Sequence, residues 1–370
     1  MASNPFKYGR VVSGNDFFGR KDLLSQLSGY IDSGQNVVLY GERRVGKTSL
    51  IHEVARNRRE KLLYVDFMNV RSEDDICRRI LRELIALNES GGYLKKIFNA
   101  LSHLRPTFSI DPVTMAPEIK LDAAVHLEIS SVAETLVLID KFYGGKVHSL
   151  VVAFDEFQSI GDLKAADDIY ALMRSKIQLQ KIPYIFAGSN RHRLDRVFTD
   201  PKSPFFKSAT PLSVGLFPRE EFMGYISEKF KTGERKVDKT VLDGICELCR
   251  DIPGDVQQVC EAIWSITTDG DIVSSDILKG AMELIFSRER GAYECIMGEL
   301  TDVQARCLVA IARVGGGKVY SKQFSKESGI TTGTAQVAIR RLLAKGVIYE
   351  TNNVYEFVNP FFRHWIKVNE

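Results

Sequence analysis

Short apolar runs alternate with helix-period segments over residues 1–216. Runs rich in β-branched and aromatic residues predict buried strands at residues 37–40, 62–67, 150–154, 183–188 and 210–216. The segments between them carry apolar residues three and four positions apart, as a helix with one buried face does. Strands that alternate with helices favour a parallel sheet covered on both sides. We therefore predict an α/β fold with a doubly wound parallel sheet of about five strands.

The pattern changes after residue 216, where only helical periods follow. Periodic segments at 219–230, 239–250, 255–267 and 275–288 predict an all-α domain over residues 217–298. From residue 299, three helical segments precede two short strands that flank Asn352-Asn353, which is a hairpin signal. That order predicts a winged helix-turn-helix domain over residues 299–370. A further hairpin is predicted at residues 104–121, as a surface insertion into the first domain.

Composition narrows the function classes. Lys plus Arg is 50 against 47 for Asp plus Glu, so a DNA-binding surface would have to be local. Six scattered cysteines are too few for a disulfide scaffold and favour a reducing environment. Cys246-x-x-Cys249 has no second pair at zinc-finger spacing, and we interpret both cysteines as helix core. No apolar run approaches the roughly 18 residues of a membrane span, and no signal-peptide pattern begins the chain. The sequence thus predicts a cytoplasmic protein.

Residues 41–48 match the phosphate-binding motif G-x-x-x-x-G-K-[ST]. The motif lies between a predicted strand and a predicted helix, so backbone N–H groups and the helix dipole would point at one site. Lys47 would reach the β- and γ-phosphates of a nucleotide, and the Thr48 hydroxyl would ligate Mg²⁺. The first domain is therefore predicted to be a P-loop NTPase core. The predicted nucleotide-binding residues of this loop are Gly41, Arg43, Arg44, Val45, Gly46, Lys47, Thr48 and Ser49.

A second chemical landmark is the apolar run that ends in Asp155-Glu156. Ligands of open α/β sheets lie at the carboxyl ends of the strands, where these two carboxylates would be. Asp155 would support Mg²⁺ together with Thr48, and Glu156 would orient or deprotonate the attacking water. Strands often end in acids, and it is the preceding phosphate loop that favours this functional interpretation.

A family resemblance rests on two motifs in order. The box Phe17-Phe18-Gly19-Arg20 is followed by Gly41-Glu42-Arg43-Arg44-Val45-Gly46-Lys47-Thr48-Ser49-Leu50. This combination resembles the AAA+-related ATPases common in archaea and some bacteria, close to the STAND and origin-recognition branches. The resemblance implies ATP or ADP as the nucleotide, with Phe17, Phe18 and Arg20 beside the adenine. A plain helix entry is the alternative for this box.

The resemblance also assigns roles after the strand at 183–188. It implies that Ser189 or Asn190 senses the γ-phosphate, whereas the alternative is that both cap the following turn. Relatives often carry a trans-acting arginine in the next loop, but this chain has Lys207, which lacks the planar guanidinium fork. Hydrolysis is therefore predicted to be slow. The helical segment 217–298 resembles the lid domain of this family.

The winged helix could contact DNA or a protein. Residues 299–370 hold ten basic and six acidic residues, a local surplus of four. A basic helix face could meet bases or phosphates in a major groove, whereas winged helices of related ATPases also serve as lids or protein contacts. The candidate DNA contacts are Thr334, Arg340, Arg341 and Lys345.

Three functions remain open at this point. The first is a Mg²⁺-dependent ATPase that acts as a nucleotide-controlled switch on DNA. The second is a STAND-like signalling switch whose winged helix contacts protein, and the third is a nucleotide-binding module with little hydrolysis. The sequence does not decide whether the chain forms oligomers.

Overall fold

The structure is a computed structural model that describes residues 3–87, 106–110, 117–121, 129–145, 149–351 and 353–370. The chain divides into two compact units. One is Arg10–Leu216, and the other is Met1–Gly9 together with Phe217–Glu370. The division into domains at 1–216, 217–298 and 299–370 stays a prediction.

The first unit is built on a five-stranded parallel sheet. The described strands of this unit are β1 (Val37–Tyr40), β2 (Lys61–Asp66), β3 (Pro106–Ile110), β4 (Pro117–Leu121), β5 (Leu150–Asp155), β6 (Tyr184–Gly188) and β7 (Thr210–Ser213), of which β3 and β4 lie outside the sheet. The sheet order is β2-β5-β6-β1-β7, and every neighbouring pair is parallel. The predicted α/β fold class and its five strands are confirmed.

The register aligns the carboxyl ends of these strands at one edge. Tyr40 lies opposite Gly188, and Asp66 lies opposite Asp155. Strands β1, β5 and β6 are buried along their whole length, as strands with helices on both faces are. The polar residues that follow these strands therefore meet at the same edge of the sheet.

Helices cover both faces of the sheet. Successive β5 residues alternate between two cores, with Val152 in one and Val151 in the other. The helices of this unit are Lys21–Asp32, Lys47–Arg58, Glu73–Ala86, Ile129–Tyr143, Ala166–Ile177 and Arg191–Phe198. Ser72 caps the helix Glu73–Ala86, since its hydroxyl accepts from the Asp75 N–H at 3.2 Å.

An aromatic cluster fills the core beneath β6. Phe205 lies in the loop before β7 and is fully buried. Its ring centroid lies 5.3 Å from those of Phe157 and Phe186 and 5.6 Å from that of Phe198. The loop 200–207 is thus anchored to the sheet by a core side chain.

The predicted insertion contains a hairpin. β3 pairs antiparallel with β4, with Phe108 opposite Ile119. Residues 104–105 and 111–116 of the predicted hairpin lie outside the described residues.

The second unit begins with four helices. They are Arg219–Lys231, Lys239–Leu248, Pro253–Ile266 and Ser275–Gly298. The all-α prediction is wrong in one detail, because two short strands, β8 (Lys236–Val237) and β9 (Ile272–Val273), pair in parallel between helices. Two residues per strand are too few for a periodic signal. Cys246 and Cys249 are buried, which confirms them as core.

The helix Ser275–Gly298 runs ten residues past its predicted end at residue 288. The buried Tyr293 explains the extension, since its ring centroid lies 5.0 Å from that of Phe362 and 5.5 Å from that of Trp365. This packing outweighs the cost of Gly291 inside a helix, about 1 kcal/mol.

The winged helix is present as predicted. Its helices are Asp302–Val314, Lys322–Ser328 and Thr332–Ala344, and its wing strands are β10 (Ile348–Thr351) and β11 (Val354–Phe357), which pair antiparallel. Asn352 of the predicted turn lies outside the described residues. A further helix, Pro360–Asn369, follows the wing, and Asn359 Oδ1 caps it by accepting from the N–H groups of Phe361 and Phe362.

The N-terminal segment contains a core residue, Phe6. Phe6 is 4 % exposed, and its ring centroid lies 4.5 Å from that of Phe230 and 6.0 Å from that of Trp264. Phe6 therefore belongs to the core of the second unit. Among the helices that the structure describes, none has both the length and the apolar character required to cross a bilayer.

The cluster around Phe205 predicts a large stability effect. Phe205→Ala should lower the free energy of unfolding by about 3–5 kcal/mol, because a buried ring is replaced by a cavity. The matched control is Leu179→Ala, a residue 77 % exposed, which should stay within about 0.5 kcal/mol of the parent. Urea unfolding of both variants measures the difference. Equal values for the two would contradict the packing described.

Candidate nucleotide-binding site

The phosphate loop connects β1 to the helix that begins at Lys47. Gly46 has φ +97°, a left-handed conformation that favours glycine. A Cβ at Gly41 would lie 2.7 Å from the Val214 carbonyl oxygen, so only glycine fits this close approach. The motif therefore requires its two glycines for different reasons, Gly46 for its backbone conformation and Gly41 for lack of space. Together they leave the helix N-terminus open to a ligand.

Lys47 is buried inside this loop. Its Nζ donates to the carbonyl oxygens of Gly41 and Glu42, both at 2.9 Å. Burial lowers the pKa of Lys47 below its ordinary value, and the nearby charges of Asp155 and Glu156 counteract part of this shift. The ammonium group is thus held among loop carbonyls, beside the helix N-terminus where phosphates would bind.

Asp155 and Thr48 meet across the sheet edge. The Thr48 hydroxyl donates to Asp155 Oδ2 at 2.8 Å, and the Tyr64 hydroxyl donates to the same oxygen at 2.7 Å. Hydroxyl and carboxylate oxygens are the ligand type that Mg²⁺ takes, so this pair fits the metal. Tyr64 was not predicted from the sequence. Burial, followed by the charge of Asp155, raises the pKa of its phenol, which keeps it a donor.

Glu156 has a left-handed backbone, with φ 48°. Ser189 Oγ donates to Glu156 Oε2 at 3.0 Å, and Gln158 Nε2 donates to the same oxygen. Asn190 instead caps the helix Arg191–Phe198, because its Oδ1 accepts from the Arg193 N–H at 3.0 Å. The two residues therefore differ: Ser189 contacts the Glu156 carboxylate, whereas Asn190 caps the following helix.

The aromatic box supports the loop from the other side. Arg20 Nη2 donates to the carbonyl oxygens of Val45 at 3.1 Å and Gly215 at 2.6 Å, and burial lowers the pKa of Arg20 to about 10. Phe17 packs, partly buried, against the core that contains Val45, and Phe18 is partly buried. Contact of these residues with an adenine stays a prediction.

The segment before the box also contacts the phosphate-loop helix, which sequence reasoning missed. The Val12 N–H donates to Ser49 Oγ at 3.2 Å, and the Gly14 N–H donates to Glu53 Oε2 at 2.8 Å. Ser49 thus has a structural partner within the chain. Glu53 lies on the buried face of its helix. An acid at such a position is the sequence signal that could have indicated a hydrogen-bond partner from another segment.

The remaining predicted cations lie at the surface. The side chains of Arg43 and Arg44 are exposed, and Arg44 has φ 65°. Lys207 is exposed, with its Nζ 5.2 Å from the Phe206 ring centroid. Arg191 was not among the predicted site residues. Its guanidinium lies 5.7 Å from the ring centroid of Tyr40, the residue directly before the phosphate loop.

The winged helix presents its own candidate residues in the second unit. Arg340 and Arg341 are exposed, and neither forms an ion pair within the described residues. Lys345 pairs with Glu299 at 3.8 Å, and the Thr334 hydroxyl bonds that of Thr331 at 2.9 Å. The two arginines are therefore the more available members of the predicted set.

Comparison with known families decides the classification. Residues 17–201, half of the chain, match the model of an ATPase domain predominantly from Archaea. The chain belongs to this family. Residues 291–368 of the ATPase also match a probable winged helix domain. The family resemblance inferred from the two motifs is confirmed at this level. No curated protein matches the sequence.

Solved structures share the fold of the ATPase over nearly its whole length. The Walker-type ATPase PABY2304 of Pyrococcus abyssi is 18% identical and covers 98% of this chain and 99% of its own, with a TM-score of 0.66. The Aeropyrum pernix ORC2 protein, solved as ADPNP-ADP complexes, is 15% identical and covers 99% and 96%, with a TM-score of 0.54. A. pernix ORC1 in complex with DNA is 11% identical and covers 95% and 93%, with a TM-score of 0.52.

The docked Glu53 predicts a pH effect on stability. Hydrogen bonds from Arg56 lower the pKa of Glu53 below its ordinary value of 4.5. A depressed folded pKa contributes stability above pH 4.5 that is lost as the pH falls through the folded value. Glu53→Gln should therefore be less stable than the parent at pH 7, and the gap should close towards pH 3. Urea midpoints between pH 3 and 7 measure this; a pH-independent gap would contradict it.

Proposed function

We propose that this ATPase binds ATP with Mg²⁺, hydrolyses it slowly and acts as a nucleotide-controlled switch. The observation that carries the proposal is the hydroxyl–carboxylate contact of Thr48 with Asp155 at 2.8 Å, next to the buried ammonium of Lys47. The two residues that would hold the metal therefore lie beside the lysine that would bind phosphate. These are the parts that phosphoryl transfer requires, because its catalysis depends mainly on positioning and charge stabilisation.

Each residue has a role that its contacts support. The loop amides and Lys47 would hold the β- and γ-phosphates, and Thr48 with Asp155 would hold the metal. Bound Mg²⁺ would supply charge neutralisation between the β- and γ-phosphates. Glu156 would accept a proton from the attacking water, and Ser189 would report on the γ-phosphate through its bond to Glu156 Oε2. Lys207 offers a point charge in place of an arginine fork, which supports slow turnover.

Two substitutions separate binding from turnover. Lys47→Ala should weaken ATP binding roughly ten- to a hundredfold, since a hydrogen bond to a charged group contributes about 1.5–3 kcal/mol. Glu156→Gln should bind ATP as the parent does but turn it over about a hundredfold more slowly, because the general base is lost. Calorimetry with ATP and Mg²⁺, together with phosphate release, measures both.

The control for these variants is Lys21→Ala, an exposed lysine outside the loop, which should behave as the parent. Parent-like ATP affinity in Lys47→Ala would contradict the site. Parent turnover no faster than that of Glu156→Gln would favour a module that binds nucleotide and barely hydrolyses it.

A second candidate function is DNA association through the winged helix. It is supported by the exposed arginines of the helix Thr332–Ala344 and by the surplus of basic over acidic residues in 299–370. The fold neighbour ORC1 of Aeropyrum pernix was solved in complex with DNA. The rival is a STAND-like switch in which the same domain contacts protein.

Salt-dependent binding distinguishes these rivals. Arg340→Ala and Arg341→Ala should each weaken binding to duplex DNA and reduce the slope of log affinity against log salt by about one, because a phosphate contact is lost. Arg313→Ala is the matched control, since Arg313 pairs with Glu327 at 2.8 Å. Fluorescence anisotropy across a salt series measures the slopes. Unchanged affinity in both variants, or no binding by the parent, would favour the protein-contact switch.

A further inference from the structure

Two donors converge on a single oxygen of Glu156. Ser189 Oγ donates to Oε2 at 3.0 Å, and Gln158 Nε2 donates to Oε2 at 2.5 Å. The other oxygen, Oε1, accepts no hydrogen bond from any residue of the described ranges. Glu156 is therefore held by one oxygen and presents the other.

Gln158 is itself confined. It is 4 % exposed, and its backbone carbonyl accepts from Arg193 Nη2 at 3.0 Å. The turn that carries it begins at Phe157, whose ring lies 6.2 Å from that of Phe154 and 4.7 Å from that of Phe186, centroid to centroid. The aromatic core and the hydrogen bond from Arg193 thus fix the backbone that carries the Gln158 amide.

Gly188 at the end of β6 leaves room for this amide. A Cβ at position 188 would lie 2.0 Å from Gln158 Oε1, so a side chain there would displace the glutamine. Gln158 Oε1 is also buried without a hydrogen-bond partner among the described residues. A buried, unpaired carbonyl is a cost to folding, so stability alone would not favour glutamine over an apolar residue of similar size. The bond that its NH₂ group makes to Glu156 gives a reason for the amide.

We propose that Gln158 is a positioning residue that fixes the carboxylate of Glu156 for proton abstraction. By holding Oε2 together with Ser189, it sets the rotation of the carboxylate and leaves Oε1 to accept the proton of the attacking water. The proton passes from water to Oε1 as the water oxygen bonds to phosphorus and the bond from phosphorus to the leaving oxygen breaks. This inference rests on the hydrolysis proposed above. Gln158 touches no reacting atom and acts only through Glu156.

The test is Gln158→Met, which keeps the length of the side chain and removes its hydrogen bonds. We expect kcat to fall about tenfold, because misplacement of a catalytic group by about 1 Å can cost up to a hundredfold. The KM for ATP and the Kd for an ATP analogue with Mg²⁺ should stay within twofold, since within the described residues Gln158 forms hydrogen bonds with Glu156 and Arg193 and none with the phosphate loop, Thr48 or Asp155.

Gln180→Met is the matched control. Gln180 donates to the Leu136 carbonyl at 2.9 Å, in the same unit but outside the site. Its loss should lower the melting temperature and leave kcat within twofold. A folded Gln158→Met with parent kcat, or with a weakened Kd and unchanged kcat, overturns the inference.

A double variant tests whether Gln158 acts through Glu156. Once Glu156→Gln has removed the base, adding Gln158→Met should lower kcat no further, because residues that act as one unit are not additive. A further tenfold fall in the double variant overturns the inference.

If Gln158→Met does not fold, Gln158→Asn shortens the side chain by one carbon and withdraws the NH₂ group from Glu156. The same tenfold loss of kcat is expected, and parent kcat overturns the inference. Glu156→Gln distinguishes the two proposals. If it turns over ATP as fast as the parent, the proposed hydrolysis fails and this inference with it. If it is slow while Gln158→Met is fast, only the role of Gln158 fails.

Discussion

The carboxylate of Asp155 connects three separate elements of the first unit. One oxygen accepts from Thr48 on the phosphate-loop helix and from Tyr64 on β2, and the other accepts from the backbone N–H of Glu156 at 2.9 Å. A buried charge is tolerated only when hydrogen bonds replace the water it has lost. Asp155 therefore links the phosphate-loop helix and β2 to β5, and its bond to the Glu156 N–H helps to set the direction in which the chain leaves β5.

Three of the predicted site residues have strained backbone conformations. Arg20, Arg44 and Glu156 all have left-handed φ values, between 48° and 65°, although none is glycine. Such conformations are costly for residues with a Cβ and persist where the surroundings enforce them. At Glu156 the surroundings are the buried Phe157 on one side and Asp155 on the other. In this conformation the Glu156 side chain accepts a hydrogen bond from Ser189, the residue directly after β6.

The features that the sequence predicted well are specified by neighbouring residues or by a periodic apolar pattern. The strand–turn–helix around Lys47 is specified by neighbouring residues, and the buried runs of β1, β5 and β6 are specified by their own composition. Because parallel strands end at one edge, the meeting of Thr48 with Asp155 followed from topology alone. The helix Thr332–Ala344 and its wing were predictable for the same reason, as periodic segments joined by turns.

What it could not predict depends on partners distant in the chain. From the sequence Tyr64 is an ordinary strand residue, and its bond to Asp155 depends on the pairing of β2 with β5. Gln158 is likewise an ordinary turn residue, and its position depends on the space beside Gly188. The docking of Gly14 on Glu53 uses a backbone group, which leaves no trace in the sequence at that position. The choice between Ser189 and Asn190 depends on alternation at a strand end, where one residue of slippage exchanges the two roles.

Because residues 1–9 belong to the second unit, the position at which a fragment of the first unit begins matters. A fragment ending at Leu216 would retain Phe6 and lose Phe230 and Trp264, the rings that cover it. Such a fragment would carry Phe6 without the rings that bury it. An isolated nucleotide-binding core is better begun at Arg10, which removes Phe6 but retains the Val12 and Gly14 backbone bonds to the loop helix.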